Sequence, residues 1–187
     1  MRIIISDSNC LIDLRKAALL AAFLRLPFEI LIPNTLFEDG LLSFTTKEKR
    51  SLIEAGLKVV DLPGAQVSRA RDVIRARPRL SIHDGFALAL AEAHAGCILL
   101  TGDSELRSLA ESSRIEVQGV LWVCDRIFER DVATSEAIYA GLSKLAADPA
   151  VRLPKRELAV HIRRYQAQKE VEAPLTPSAK RMEEREQ

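Results

Sequence analysis

Short apolar runs alternate along the chain with longer segments in which apolar residues recur every three or four positions. The short runs have the length and the Ile, Leu and Val content of buried β-strands, whereas the longer segments have helical spacing. The predicted strands are 3–6, 29–32, 57–61, 97–101 and 115–117. Strands that alternate with helices predict an α/β three-layer sandwich, in which helices cover both faces of a central, mainly parallel sheet of about five strands.

The segment 84–96, DGFALALAEAHAG, has the clearest helical pattern in the chain. It is rich in Ala and Leu, which favour helices, and it begins with Asp84, where the helix dipole favours an acid. Gly96 follows the last alanine and is typical of a helix C-cap. We therefore predict a helix that begins at Asp84 and ends at Gly96.

The pattern changes at about residue 148. The segment 152–169 contains six basic residues and one acidic residue, with Leu158, Ile162 and Tyr165 at helical spacing, and it predicts a basic amphipathic helix. Beyond Glu170 the chain has few apolar residues, mixed charge and two prolines, Pro174 and Pro177, which is typical of a flexible tail. We predict a main domain over 1–147 and a C-terminal helical extension with a tail over 148–187.

Composition adds limits on size and environment. With 187 residues and 48% hydrophobic content, the chain can bury one sizeable core. Its formal net charge of +1 gives no overall attraction to nucleic acid or membrane. The sequence has no secretory leader pattern and no apolar run long enough to span a bilayer, so we expect a cytoplasmic protein without a membrane partner.

Acidic residues follow several of the predicted strands. Asp7 comes directly after the first strand, and Asp103 comes after the fourth strand in CILLTGDSEL. Asp84 lies on the first turn of the clearest helix, and Glu38 and Asp39 follow the second strand in IPNTLFEDG. Because ligands bind at the carboxyl ends of parallel strands, we expect these acids to share one edge of the sheet.

Carboxylates that crowd into one cleft repel each other and raise each other's pKa unless a cation neutralises them. Ligand sets made only of oxygen atoms suit Mg²⁺ or Mn²⁺. The three histidines show no metal-ligand spacing, and no serine or cysteine lies in a recognisable nucleophile motif. The sequence therefore favours a Mg²⁺ or Mn²⁺ site over a protein nucleophile.

The order of four motifs, SDSNCLID, IPNTLFED, SIHDGFALALAEAHAG and LLTGDSELRSLAESSRIEVQGVLWV, resembles a PIN domain over about residues 1–130. PIN domains include many metal-dependent ribonucleases and the toxins of the commonest bacterial toxin–antitoxin pairs. The resemblance implies the strand order 3-2-1-4-5. It also implies hydrolysis of phosphodiester bonds in single-stranded RNA, with a metal that activates water and orients the displacement.

The resemblance implies that Asp7, Asp84 and Asp103 bind the metal. It places Thr101 at the turn before Asp103, and Ser8 and Asn9 beside the first carboxylate.

A further site acid is expected after the second strand, and two residues compete for that role. A Thr-x-x-Glu pattern favours Glu38, whereas the distance from Pro33 favours Asp39, to which we give a narrow preference. A Phe-x-x-acid-Leu pattern, as in the family, would place the acid where Gly40 stands. Some family members carry another acid where Glu105 stands, so Glu105 is an additional candidate.

The expected partners follow from the same resemblance. They are an RNA substrate, an antitoxin protein and a second copy of the chain in a homodimer. Three cations of the basic helix, Arg156, Arg163 and Arg164, are candidates for contacts with the RNA backbone. The alternative hypothesis is a catalytically impaired PIN-like module that binds RNA or a protein, which the glycine at position 40 would allow.

Overall fold

The structure is a computed structural model and describes residues 1–172. Its centre is a five-stranded sheet in the order β3-β2-β1-β4-β5, in which every neighbouring pair is parallel. The strands are β1 (Arg2–Ser6), β2 (Phe28–Pro33), β3 (Lys58–Val60), β4 (Ile98–Leu100) and β5 (Glu116–Gln118). The predicted α/β fold and strand order are confirmed, and the sheet is wholly rather than mainly parallel.

The strands are short and buried, as their continuous apolar runs indicate. Ile4 and Ile5 are both fully buried although their side chains point to opposite faces of β1. Burial of both faces is the rule for parallel sheets, because the crossover helices cover them. Each observed strand lies within two residues of its predicted position.

Helices form the layers on either side of the sheet. They are α1 (Ser8–Lys16), α2 (Leu20–Leu24), α3 (Thr46–Glu54), α4 (Gly64–Ala76), α5 (Ile82–Glu92), α6 (Ser104–Ser112), α7 (Val120–Glu129), α8 (Ser135–Ala147) and α9 (Lys155–Glu172), and a π-helical turn spans Leu36–Gly40. Helix α5 packs on β1, β2 and β4 and against α4, whereas α1 contacts α2, α7 and α8.

Helix α5 begins and ends earlier than its alanine-rich pattern predicts. Ser81 caps its N-terminus in a capping box, so that Asp84 is the third residue of the helix rather than its first. The helix ends at Glu92, and Gly96 lies in the following turn with a φ of +73°. Glycine suits that turn because it adopts positive φ without steric strain.

Helix α9 follows Pro154 and packs along α8. Its predicted apolar positions face inward, since Leu158 and Tyr165 are buried and Ile162 is partly buried. The helix continues to Glu172, so it includes the first two residues of the predicted tail. The rest of that tail, 173–187, lies outside the described residues, and the domain boundary between 147 and 148 stays a prediction.

Candidate active site

The strand order reverses at β1, which pairs with β2 on one side and with β4 on the other. In open parallel sheets a crevice for ligands forms at this point, beyond the carboxyl ends of the strands. Asp7 follows β1 directly, and its backbone N–H donates to the carbonyl of Leu100 at the end of β4, at 3.0 Å. The predicted acids Asp7 and Asp103 therefore follow the two strands that flank the crevice.

Asp7 is a buried carboxylate with one unsatisfied oxygen. It is the N-cap of α1, and its Oδ1 accepts the backbone N–H of Cys10 at 2.7 Å. The residue is only 3% exposed, and Oδ2 is buried without a hydrogen-bond partner among residues 1–172. Buried polar atoms are nearly always paired, because an unpaired one loses its hydration without compensation. The N-cap role accounts for Oδ1 but not for the burial of Oδ2.

The electrostatics of Asp7 agree with this geometry. Burial raises the pKa of Asp7 above its usual value, and the negative charge of Asp84 raises it further. The N–H of Cys10 and the nearby hydroxyl of Thr101 act in the opposite direction. No hydrogen bond of normal geometry joins that hydroxyl to Oδ2. Asp7 and Asp84 are thus close enough to interact, and a cation between them would relieve their repulsion.

Asp84 takes part in the capping box of α5. Its Oδ2 accepts hydrogen bonds from the backbone N–H of Ser81 at 2.7 Å and from the Ser81 hydroxyl at 2.8 Å. In return, the Ser81 hydroxyl accepts the backbone N–H of Asp84 at 3.2 Å. Oδ1 of Asp84 makes no hydrogen bond within the described chain. The capping box therefore fixes the side chain while one oxygen stays available.

Asp103 caps helix α6 in the same way. Its Oδ1 accepts the backbone N–H of Leu106 at 2.8 Å, and its own N–H donates to Oγ1 of Thr101 at 3.1 Å. Thr101 is fully buried at the end of β4, as expected of a residue that shapes the turn. Oδ2 of Asp103 has no hydrogen-bond partner in the part of the chain that the structure describes.

The three predicted metal ligands thus share one arrangement, in which one oxygen caps a helix and the other is unbonded. Carboxylate oxygens are the ligands that Mg²⁺ and Mn²⁺ prefer, and the orphaned Oδ2 of Asp7 fits such a cation. Across residues 1–172, no three His, Cys, Asp or Glu side chains stand close enough to hold a metal ion together. These oxygen donors fit a divalent cation in their chemistry, but residues 1–172 do not bring all three acids within coordinating distance of one another.

The candidates for a further acid lie on the π-helical turn, which α-helical spacing does not describe. The Glu38 carboxylate is held by α3, where Lys49 Nζ lies 3.1 Å from Oε2. Asp39 is exposed and makes no hydrogen bond or ion pair within residues 1–172. A Cβ on Gly40 would lie 2.8 Å from both Cβ and Oγ of Ser8, so position 40 faces the start of α1.

The remaining predicted residues occupy different surroundings. Ser8 is partly buried against Gly40, and Glu105 is partly buried in the first turn of α6. Of the predicted RNA-binding cations, Arg164 is committed to α7, because Nη1 lies 3.1 Å from Oδ1 of Asp125. The other two, Arg156 and Arg163, are exposed.

A cavity of about 390 Å³ adjoins Asp103. Its walls come from one face of α1, the turn after β4, the start of α7 and the segment between α8 and α9, and they include Asn9, Asp13, Lys16, Asp103 and Arg152. Asp13, Lys16 and Arg152 were not among the site residues predicted from the sequence. A signal existed for the first two, because Asn9, Asp13 and Lys16 have the i, i+4, i+7 spacing of one helix face.

Asp13, which lines this cavity, has a carboxyl group whose pKa is well above its usual value. Burial raises its pKa to about 6, an effect that the charges of Asp7 and Asp148 increase and that of Lys16 opposes. Lys16 is itself paired with Asp148, at 2.7 Å. Perturbed pKa values cluster at functional sites, and the influence of Asp7 on Asp13 connects this cavity electrostatically to the crevice.

A family model described as a PIN domain matches residues 3–167. The chain therefore belongs to the PIN-domain family, and the match includes most of α9. PIN domains are generally nucleases and typically use divalent metals. No curated protein matches the chain. Within residues 1–172, no helix has the length and hydrophobicity needed to cross a bilayer.

Proposed function

We propose that the protein is a Mg²⁺- or Mn²⁺-dependent endoribonuclease that hydrolyses single-stranded RNA and acts as the toxin of a toxin–antitoxin pair. The observation that carries the proposal is Oδ2 of Asp7, a buried carboxylate oxygen without a partner in the described chain, within electrostatic range of the acid Asp84. Such an arrangement is unfavourable for folding alone and favourable for binding a cation.

In this proposal Asp7, Asp84 and Asp103 hold the metal through the oxygens that do not cap helices, and Asp39 is the candidate for a fourth acid. A bound Mg²⁺ or Mn²⁺ supplies an activated water and positive charge at the scissile phosphate. The helix caps keep each carboxylate in one orientation, because a backbone N–H fixes its other oxygen. The chain thereby orients its acids before the substrate arrives, which is the usual basis of an efficient site.

One observation favours a second candidate, a PIN-like module that binds RNA or a protein without cleaving it. Position 40 faces Ser8 beside the crevice, and it holds glycine where the family-like pattern would place an acid. Glu38 of the same turn is paired with Lys49. With fewer acids the affinity for a metal would fall, and the fold could serve binding alone.

Cleavage of RNA separates the two candidates. Purified full-length protein should cleave a panel of single-stranded RNAs with Mg²⁺ or Mn²⁺ and stop with EDTA. Asp7→Asn should lower cleavage by more than about 100-fold, since it removes the charge that holds the cation. The matched control is Asp131→Asn, the same change at an exposed residue.

Equal cleavage by wild type and Asp7→Asn, with or without EDTA, would indicate a contaminating nuclease and overturn the proposal. The toxin role predicts that expression of wild type, but not of Asp7→Asn, inhibits bacterial growth. Relief of that inhibition by the product of a neighbouring reading frame would identify the antitoxin. A solution mass of twice the chain mass would support the proposed homodimer.

A further inference from the structure

The wall of the cavity beside Asp103 contains a cation that makes no hydrogen bond or ion pair within residues 1–172. Lys16 and Arg152 are the two cations in its walls within the described chain. Lys16 is neutralised by Asp148. Arg152 is exposed and makes no hydrogen bond or ion pair among residues 1–172. A guanidinium with an open surface is suited to bind carboxylate or phosphate oxygens.

The segment that carries Arg152 is held in place on both sides. Val151 and Leu153 pack against the hydrophobic core, while Arg152 between them is exposed. Asp148 folds the start of the segment, because its Oδ1 accepts the N–H of Ala150 at 2.8 Å, and its ion pair with Lys16 attaches the segment to α1. The backbone at Arg152 is thus anchored at the cavity, and less entropy is lost when a ligand binds.

We infer that this cavity is a subsite for a backbone phosphate of single-stranded RNA next to the scissile bond, with Arg152 as its cationic ligand. The inference rests on the proposed function, from which it takes the cleavage of RNA at the acids. It adds the position of the neighbouring part of the substrate strand. Asp103 belongs to both the cavity and the candidate metal ligands, so a strand whose scissile phosphate lies at the acids reaches the cavity directly. The cavity volume of about 390 Å³ is in the range of ligand sites.

The charges of the cavity favour a phosphate on one wall only. Asp13 and Asp103 lie on the walls formed by α1 and the turn after β4, whereas Arg152 enters from the segment between α8 and α9. A phosphate would therefore contact Arg152, and its charge would be kept apart from the acids. A metal at the acids would reduce their repulsion of the strand further.

Binding in EDTA tests the inference without any need for cleavage. The probe is a 5′-fluorescein-labelled single-stranded RNA of 10 nucleotides in mixed sequence, and its anisotropy is measured against full-length protein at several salt concentrations. Arg152→Gln should weaken binding about fivefold at low salt. It should also reduce the slope of log K against log salt by about 0.7, as expected for one lost phosphate contact on a single strand.

The matched control is Arg71→Gln on α4, which has the same change in net charge. Arg71 is exposed, does not line the cavity and has no ion pair within the described residues, so affinity and slope should stay at the wild-type values. Equal effects of Arg152→Gln and Arg71→Gln would overturn the inference. So would a loss of binding to a polyglutamate peptide in Arg152→Gln while binding to RNA is unchanged, because the cavity would then be a peptide site.

The same variants distinguish the inference from the proposed function. Binding that depends on Arg152 in a protein that never cleaves RNA would support the subsite and contradict the nuclease. Metal-dependent cleavage with binding that is independent of Arg152 would support the nuclease and contradict the subsite. If the protein is a nuclease and the cavity is a phosphate subsite, Arg152→Gln should raise KM with little change in kcat, since it removes a contact that substrate and transition state share.

Discussion

Asp7 and Asp125 both have carboxylates that are largely shielded from solvent, but they differ in how many hydrogen-bond and ion-pair partners they have. Asp125 on α7 is fully paired, because its Oδ1 accepts the hydroxyl of Tyr165 at 2.7 Å and Nη1 of Arg164 at 3.1 Å. Its Oδ2 lies 3.3 Å from Nε2 of His161. Asp7 has one backbone hydrogen bond and one buried oxygen without a partner in residues 1–172.

The difference shows how to separate a structural acid from a functional one. Asp125 connects α7 to Tyr165 on α9. Burial of Tyr165 and its hydrogen bond to Asp125 raise the pKa of the phenol, so the hydroxyl stays protonated and donates to Asp125. Every contact of Asp125 stabilises the fold. The surroundings of Asp7 instead disfavour its charged form, because burial raises the pKa of its carboxyl group. The negative charge of Asp7 therefore adds little to the stability of the fold, whereas it would strengthen the binding of a cation.

The largest expected contrast is in stability, when the same change is made at both residues. Asp125→Asn should lower the free energy of unfolding by about 2 kcal/mol, because it loses hydrogen bonds to a charged acceptor. Asp7→Asn should leave it equal or higher, since asparagine is an equally good N-cap and removes a buried charge. Urea denaturation at pH 7.5 without metal measures both.

This contrast would fail if Asp7→Asn proved as destabilising as Asp125→Asn. Asp7 would then be a structural acid, and its unpaired oxygen would need another explanation. Asp131→Asn again serves as the control, because it changes an exposed carboxylate that makes no hydrogen bond within the described chain.

Asp13 should give a smaller effect that depends on pH. Its pKa rises from 3.8 to about 6 on folding, so the folded chain binds the proton more tightly than the unfolded chain. The free energy of unfolding therefore falls as pH rises through this interval. Asp13→Asn removes that loss and should stabilise the protein by about 1 kcal/mol at pH 7.5, a value reduced for partial exposure.

Denaturation at pH 4.5 and pH 7.5 tests this sign. The free energy of unfolding of Asp13→Asn should exceed that of wild type by a small amount at pH 4.5 and by a larger amount at pH 7.5. A difference that is constant or shrinks with rising pH would show that the pKa of Asp13 is not raised by folding.

The sequence predicted the sheet well because a parallel strand buried on both faces needs only a short apolar run. The order of the strands came from the resemblance to PIN domains rather than from the runs themselves. The positions of Asp7 and Asp103 followed from the strand ends, since the acid after a strand must lie at the edge of the sheet. Helix α5 was predicted with the wrong ends, because the capping box at Ser81 begins it before the alanine-rich run.

The rest depended on contacts between distant parts of the chain. The ion pair of Glu38 needs Lys49 on α3, and Glu38 lies on a turn that is π-helical rather than α-helical. The cavity brings Arg152 beside Asp13 and Asp103, which no local pattern indicates. Spacing along one helix shows which residues share a face, but it does not show what packs opposite that face.

Calorimetric titration of Mn²⁺ into wild type, Asp7→Asn and Asp131→Asn at pH 7.5 tests directly whether Asp7 is a metal ligand. If Asp7 is a metal ligand, wild type and Asp131→Asn should bind Mn²⁺ with the same affinity, and Asp7→Asn should stay folded and bind at least about 10-fold more weakly. Binding of Mn²⁺ to Asp7→Asn with the affinity of wild type, or no binding to wild type, would contradict the claim that Asp7 is a metal ligand.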